Sequence, residues 1–187
     1  MKKVILGLIA ALSIVCVASA EEQKWIVDPA ASSVGVKYFS NDEIRDGRFD
    51  TFGADAWFNP SDMENAKLVF TIETESVVFG DQLATDFVKS QDWFWVSEHP
   101  KATYTLETLT HIEGDQYKAR GVLNLRGVEK TVEGAITVQI AEGVAKAFGQ
   151  VDFDRQDFEV GVGFTSFLVD IGNDISVLFD LTARPAE

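Results

Sequence analysis

Apolar and polar residues alternate with a period of two over much of this chain, and that pattern restricts the fold more than any other feature. The alternating runs cover residues 66–72, 117–125, 132–140 and 175–181. Successive side chains of a β-strand point to opposite faces, so each run predicts a strand with one apolar face and one wetter face. Turn sequences separate the runs, namely EGD at 113–115, RGVE at 126–129, EG at 142–143 and GND at 172–174. Short turns between consecutive strands predict an antiparallel meander.

About eight strands are expected in this all-β chain. They are placed near residues 33–39, 48–58, 66–74, 101–109, 116–126, 130–141, 144–154 and 174–184. Only residues 81–96 break the pattern, because Leu83 and Phe87 are spaced as on one face of a helix. A short helical segment near residues 81–95 is therefore predicted to cover one end of the sheet.

Eight antiparallel strands can form either a packed sandwich or a closed barrel, and only the barrel removes exposed strand edges. A barrel of this size either fills with side chains or holds one small ligand. Small residues on the expected inward faces favour a hollow interior, and 14 Phe and 4 Trp would supply an apolar wall. These small residues are Ala54, Ala56, Ala66, Ala102, Ala119, Gly121, Gly134, Ala147 and Gly149. The residues alone leave the filled sandwich open.

The first twenty residues have the three parts of a secretory signal peptide. Lys2 and Lys3 provide the positive start, residues 4–17 are almost wholly apolar, and residues 18–20 (ASA) suit a signal peptidase. The apolar run is shorter than the roughly 20 residues that a membrane-spanning helix needs. We therefore expect residues 1–20 to be a signal peptide that is cleaved after Ala20, and residues 21–187 to form one exported domain. The single cysteine, Cys16, would leave with the signal peptide, so no disulfide supports the fold.

The domain is strongly acidic. The chain has a formal net charge of −14, and the loss of Lys2 and Lys3 takes it to −16. Nucleic acids and anionic membrane surfaces are both polyanions, so neither is an expected partner. No stable membrane insertion is expected after cleavage of the signal peptide. The charge is also suited to keeping a protein soluble while it carries an apolar ligand.

No sequence motif indicates an enzyme or a cofactor site. His99 and His111 are isolated and not spaced as metal ligands, and no G-x-S-x-G sequence is present. The acidic residues between 152 and 159 lack the spacing of an EF-hand loop. We therefore expect no catalytic residues, no metal and no cofactor.

Six segments, in order, resemble the YceI-like proteins, which are periplasmic lipocalin-like barrels. The segments are WIVDP at 25–29 followed by SSV at 32–34, GRFDTF at 47–52, KLVFTIETES at 67–76, DFVKSQDWF at 86–94 with HP at 99–100, GVLNLRGVEK at 121–130, and FDRQDF at 153–158. The chain departs from the family pattern at Ser40 and Asn41 and over residues 85–88, both near the expected pocket.

The resemblance implies an eight-stranded antiparallel lipocalin-like barrel in the periplasm. It also implies a long internal pocket for a polyisoprenoid or a similar amphiphilic lipid, quinone-like molecules included, and no catalytic residues. The leading hypothesis is a carrier that holds such a lipid. The alternatives are a stress-response or interaction module with a filled core, and an enzyme that modifies a lipid or quinone. Monomer and homodimer both stay open.

The ligand-binding residues predicted from the apolar faces lie in the strands and at one end of the barrel. The strand residues are Val36, Tyr38, Phe58, Leu68, Phe70, Ile72, Tyr104, Leu106, Leu123, Ile136, Phe153 and Phe179. The residues expected at an end are Phe87, Trp93, Phe94, Phe164 and Phe167. Each of these could instead belong to an ordinary packed core.

Overall fold

The fold of the protein is given by a computed structural model that describes residues 22–165 and 170–186. The predicted signal peptide lies outside the described residues, as does Phe167. The strands are β1 (Gln23–Val27), β2 (Ser33–Ser40), β3 (Glu43–Phe49), β4 (Phe52–Asn59), β5 (Asp62–Glu73), β6 (Val77–Phe79), β7 (Lys101–Glu113), β8 (Gln116–Leu125), β9 (Val128–Ala141), β10 (Val144–Asp154) and β11 (Ile171–Pro185). One α-helix, α1 (Gln82–Lys89), lies between β6 and β7.

The strands form one antiparallel sheet that closes on itself. The order β1-β4-β5-β7-β8-β9-β10-β11 closes into a ring because β11 pairs again with β1, and β2, β3 and β6 continue the same sheet beyond β11. Trp25 and Val27 of β1 lie opposite Pro185 and Ala183 of β11 at this closure. The predicted eight-stranded antiparallel barrel is thereby confirmed.

The barrel has eight strand positions around its circumference, and three of them are each occupied by two shorter strands placed end to end. β1 and β2 lie end to end along β11, and β3 and β4 lie in the same way along β2 and β1. β5 and β6 continue this arrangement along β4 and β3. The first break contains a 3-10 turn at Pro29–Ala31, where Pro29 has no amide hydrogen to give to the sheet. The third contains a similar turn at Thr74–Ser76. The alternation in the sequence predicts the number of strand positions but not these breaks.

Two of the predicted turns place two consecutive residues at positive φ. Arg126 and Gly127 both have positive φ, at 55° and 76°, between β8 and β9. Glu142 and Gly143, at 52° and 74°, do the same between β9 and β10. Two consecutive positive φ angles define the type I′ turn, whose twist matches that of the paired strands. These turns set the registers that place the inward faces of β8, β9 and β10 next to one another.

Helix α1 confirms the predicted helical segment. The Asp81 side chain accepts a hydrogen bond from the Ala84 amide at 2.8 Å and caps the first turn. The helix ends at Lys89, where the Ser90 amide and hydroxyl both donate to the Phe87 carbonyl. In the parts of the chain that the structure describes, no helix is long and apolar enough to cross a bilayer.

Candidate functional site

A cavity of about 1040 Å³ occupies the interior of the barrel. On β11 it reaches from Leu181 to Ile171. Ten residues of a strand extend roughly 33 Å, which is about 25 Å along the axis of a barrel whose strands tilt by about 40°. The cavity is therefore long and narrow. Its wall consists mainly of inward-facing aliphatic and aromatic side chains of the strands.

The end of the barrel near β1 is closed by side chains. The Trp25 ring stacks on Phe58 with centroids 4.5 Å apart, and its indole nitrogen donates to the Phe58 carbonyl at 3.2 Å. Beside this pair is a second apolar cluster, formed by Met63, Leu109, Ala119 and Val138. Phe58 is therefore part of this plug and is not among the cavity-lining residues, which corrects its predicted position. The reason is Trp25, which is 2% exposed and covers the Phe58 ring.

The opposite end is covered by α1 and the chain that follows it. Phe87 and Val88 of the helix line the cavity, as do Trp93 and Phe94 of the following turns. The Phe87 and Trp93 rings lie 5.4 Å apart. This end has an opening, because Leu83 in the first turn of α1 lines the cavity and is also 79% exposed.

Arg155 holds this covered end together, although it is charged and only 6% exposed. Its guanidinium donates to four backbone carbonyls, those of Val160, Gly161, Ile171 and Gly172, at 2.7 to 3.1 Å. It also lies 5.3 Å from the centroid of the Trp93 ring. Burial lowers the pKa of Arg155 because a charged group is disfavoured away from water. The side chain thus joins the end of β10, the start of β11 and the segment after α1.

The mouth of the cavity is polar and mostly acidic. Ser40, Asn41, Arg45, Asp46, Asp81 and Asp170 are its hydrophilic lining residues. Arg45, the cation among these described residues, is paired with Glu43 at 2.7 Å. Burial raises the pKa of the nearby Tyr38. The charge of Arg45 opposes this rise, and the charges of Asp81 and Asp46 add to it. The mouth therefore presents more negative than positive charge to an incoming ligand.

One tyrosine lies deeper in the cavity, away from these charges. Tyr104 is on β7, opposite Phe70 of β5 and Leu123 of β8. Burial, with a smaller contribution from Glu107, raises its pKa to about 12. Its phenol is therefore protonated at physiological pH and can donate a hydrogen bond.

Fourteen of the seventeen predicted binding residues line the cavity. They are Val36, Tyr38, Leu68, Phe70, Ile72, Phe87, Trp93, Phe94, Tyr104, Leu106, Leu123, Ile136, Phe153 and Phe179. Phe164 is not among the lining residues and is 74% exposed. Its neighbour Thr165 contacts the chain after α1, because the Thr165 amide donates to the Asp92 carboxylate at 2.9 Å. Residues 166–169 are outside the described residues.

Several lining residues were absent from the sequence prediction. Val34, Phe49, Phe79, Val151, Val177 and Leu181 all face the cavity. Val177 and Leu181 stand on the same alternating face as Phe179, so the alternation itself could have identified them. Phe79 belongs to a strand of three residues, which is too short for a periodicity to be read.

A family model matches most of this chain. The YceI-like domain matches residues 25–183. A UPF0312 protein of Pectobacterium atrosepticum is 33% identical over 87 residues, a match that covers 46% of this chain and 45% of that protein. The chain thus matches less than half the length of this curated relative.

Solved structures share the barrel fold. BcnA of Burkholderia cenocepacia is 27% identical, with a TM-score of 0.78 over 84% of this chain and 99% of that one. A Campylobacter jejuni YCEI protein is 25% identical, with a TM-score of 0.66 over 80% and 88%. A polyisoprenoid binding domain from Saccharophagus degradans has a TM-score of 0.70 over 88% and 99%. At 15% identity, this last likeness concerns the fold alone.

Proposed function

Because this chain belongs to the YceI-like domain family, we propose that it is a periplasmic carrier that holds an isoprenoid-chain or similar amphiphilic lipid inside its barrel. The observation that carries the proposal is the apolar interior cavity of about 1040 Å³. Ligand pockets commonly measure about 300–1,000 Å³, so this one suits a large or extended ligand. A filled-core interaction module would have no use for such a space.

The apolar wall can supply the affinity. Each methylene group that leaves water gains about 0.8 kcal/mol, so a ten-carbon stretch gains about 8 kcal/mol before the entropic cost of association. No specific polar contact is needed for this term. One neighbour that shares the barrel fold is named as a polyisoprenoid binding domain.

The titratable groups of the cavity favour binding over catalysis. Arg155 already donates to four carbonyls. Tyr104, with a pKa raised to about 12, is a poor proton acceptor near neutral pH. The carboxylates among the lining residues stand at the mouth. We therefore propose a binding protein rather than an enzyme.

Native mass spectrometry of the protein purified from the periplasm of its own cells tests the proposal. We expect the mass of a chain that begins at Glu21, together with a lipid adduct that dissociates in the gas phase. After delipidation, an added isoprenoid should restore an adduct with a stoichiometry of one. Absence of any co-purifying lipid, together with no binding of added isoprenoid, would exclude the carrier function. A mass that retains residues 1–20 would exclude cleavage after Ala20.

The acidic mouth predicts discrimination between head groups. Farnesol should bind about tenfold more tightly than farnesyl diphosphate at low salt, because the diphosphate meets Asp46, Asp81 and Asp170 while Arg45 is already paired. The difference should narrow in 1 M salt, where the screening length falls to about 3 Å. Competition against a fluorescent fatty acid measures both affinities.

A matched pair of variants assigns this effect to the mouth. Asp81→Asn removes a mouth charge while keeping a side chain that caps α1 equally well, so it should strengthen binding of the diphosphate alone. Glu64→Gln removes an exposed charge on β5, near the plugged end, and should change neither affinity. Equal or tighter binding of farnesyl diphosphate by the wild-type protein would contradict the prediction.

A further inference from the structure

The Tyr104 ring packs against the backbone of β8 at a position where the absence of a Cβ atom on Gly121 leaves room for it. Gly121 of β8 is the diagonal neighbour of Tyr104. A Cβ atom on Gly121 would come within 2.6 Å of the Tyr104 ring carbon that bears the hydroxyl, and within 2.7 Å of the hydroxyl oxygen. The ring therefore packs closely over the backbone of β8. A phenylalanine at position 104 would pack in the same way, so this packing does not explain why the residue carries a hydroxyl group.

The hydroxyl has no hydrogen-bond partner among the residues that the structure describes. Its paired neighbours, Phe70 and Leu123, are apolar. Glu107 acts on Tyr104 through its charge, but its carboxylate is bonded to Arg120 at 2.9 Å. Arg45, Asp81 and Arg155 belong to the mouth and the covered end. A polar group without a protein partner thus faces the cavity within an otherwise apolar stretch of wall.

An unpartnered donor changes which ligands a cavity accepts. When hydrocarbon displaces water from a donor, the donor loses its hydrogen bond and nothing replaces it. When the ligand offers an oxygen atom at the same place, the bond is re-formed inside a medium of low dielectric. Sites with a buried polar group therefore discriminate against ligands that cannot pair with it.

We propose that the Tyr104 hydroxyl donates a hydrogen bond to an uncharged oxygen atom of the bound lipid, inside the barrel rather than at its mouth. The preferred ligand is thus an isoprenoid-chain lipid that carries an acceptor oxygen, rather than a plain polyisoprene. Quinone-like ligands are already among those that the family resemblance implies, and a prenylated quinone serves here as the probe. This inference rests on the proposed function and adds a polar contact to it. The phenol stays protonated well above neutral pH, so the contact should not depend on pH between 6 and 9.

The test compares menaquinone carrying four isoprene units with squalene, an isoprenoid hydrocarbon. In a competition assay with the delipidated protein, the wild type should prefer menaquinone. Tyr104→Phe should weaken menaquinone binding roughly tenfold and leave squalene binding unchanged or slightly tighter. Tyr117→Phe is the control, because Tyr117 is outside the cavity lining and contacts His111. It should leave both affinities unchanged.

A second measurement does not depend on affinity. The carbonyl stretching band of bound menaquinone should lie at lower frequency in the wild type than in Tyr104→Phe, because a hydrogen bond weakens the C=O bond. An unchanged band, or a Tyr104→Phe variant with wild-type preference, would overturn the proposal. So would a loss of preference in Tyr38→Phe instead, since Tyr38 is near the mouth. If the wild type binds both lipids equally, only this inference fails, whereas binding of neither removes the proposed function itself.

Discussion

Replacing Phe70 with aspartate should abolish lipid retention while the barrel still folds. Phe70 lines the cavity from the second half of β5, between Ala54 of β4 and Tyr104 of β7. A carboxylate there would have to lose its water when a lipid chain enters, which costs several kcal/mol without a paired cation. In the empty cavity the same carboxylate can keep its water, so the fold tolerates it. We expect at least a hundredfold loss of affinity for an added isoprenoid.

The matched control is Val69→Asp, one residue earlier on the same strand. Val69 faces outward and is 40% exposed, so its aspartate stands in solvent. This variant introduces the same residue into the same strand and should retain lipid as the wild type does. Native mass spectrometry of both variants, with circular dichroism to verify folding, makes the comparison. Retention by a folded Phe70→Asp variant would show that the lipid does not occupy this part of the barrel.

Arg155→Met should destabilise the protein by about 3–5 kcal/mol, the range for loss of a buried hydrogen-bonding network. Methionine fills much of the same space, but it leaves the carbonyls of Val160, Gly161, Ile171 and Gly172 without their donor. Arg155→Lys should recover little of this stability, because one ammonium group cannot reproduce the planar arrangement of donors. Urea denaturation monitored by tryptophan fluorescence measures the effect.

Arg120→Met serves as the control for removal of an arginine. Arg120 pairs with Glu107 at 2.9 Å on the outer surface, and its side chain is 46% exposed. Exposed pairs of this kind contribute about 0–1 kcal/mol, so this variant should unfold near the wild-type urea concentration. If Arg155→Met and Arg120→Met shift the midpoint equally, Arg155 does not hold the covered end together.

The alternation of residues predicted most of the barrel strands and their inward faces, but it did not include β1, most of β3, or β6. Leu68, Phe70 and Ile72 line the cavity because period two places them on one face, and pairing with β4 and β7 turns that face inward. The short turns predicted the meander. The sequence resemblance then distinguished the barrel from a sandwich, which periodicity alone could not do.

Depth along the barrel axis could not be predicted in the same way. Alternation assigns a face to Phe58, but its height depends on strand tilt and stagger, which involve every strand at once. Phe58 consequently lies in the plug with Trp25 rather than in the cavity wall. The hydrogen bonds of Arg155 could not be predicted from the sequence for a related reason. Its partners are backbone carbonyls, which every residue possesses, so no sequence pattern identifies them.

The pairing of β1 with β11 has a consequence for the order of events during folding. Trp25 and Pro185 are neighbours in the closed barrel although nearly the whole described chain separates them. Contacts between such distant residues form slowly, because a long loop must be ordered before they stabilise anything. The meander from β4 to β10 can assemble from adjacent hairpins, but it stays an open sheet with two free edges until β11 arrives. An enclosed cavity therefore exists only after β11 is in place, so we expect a ligand to be held only by the fully folded chain.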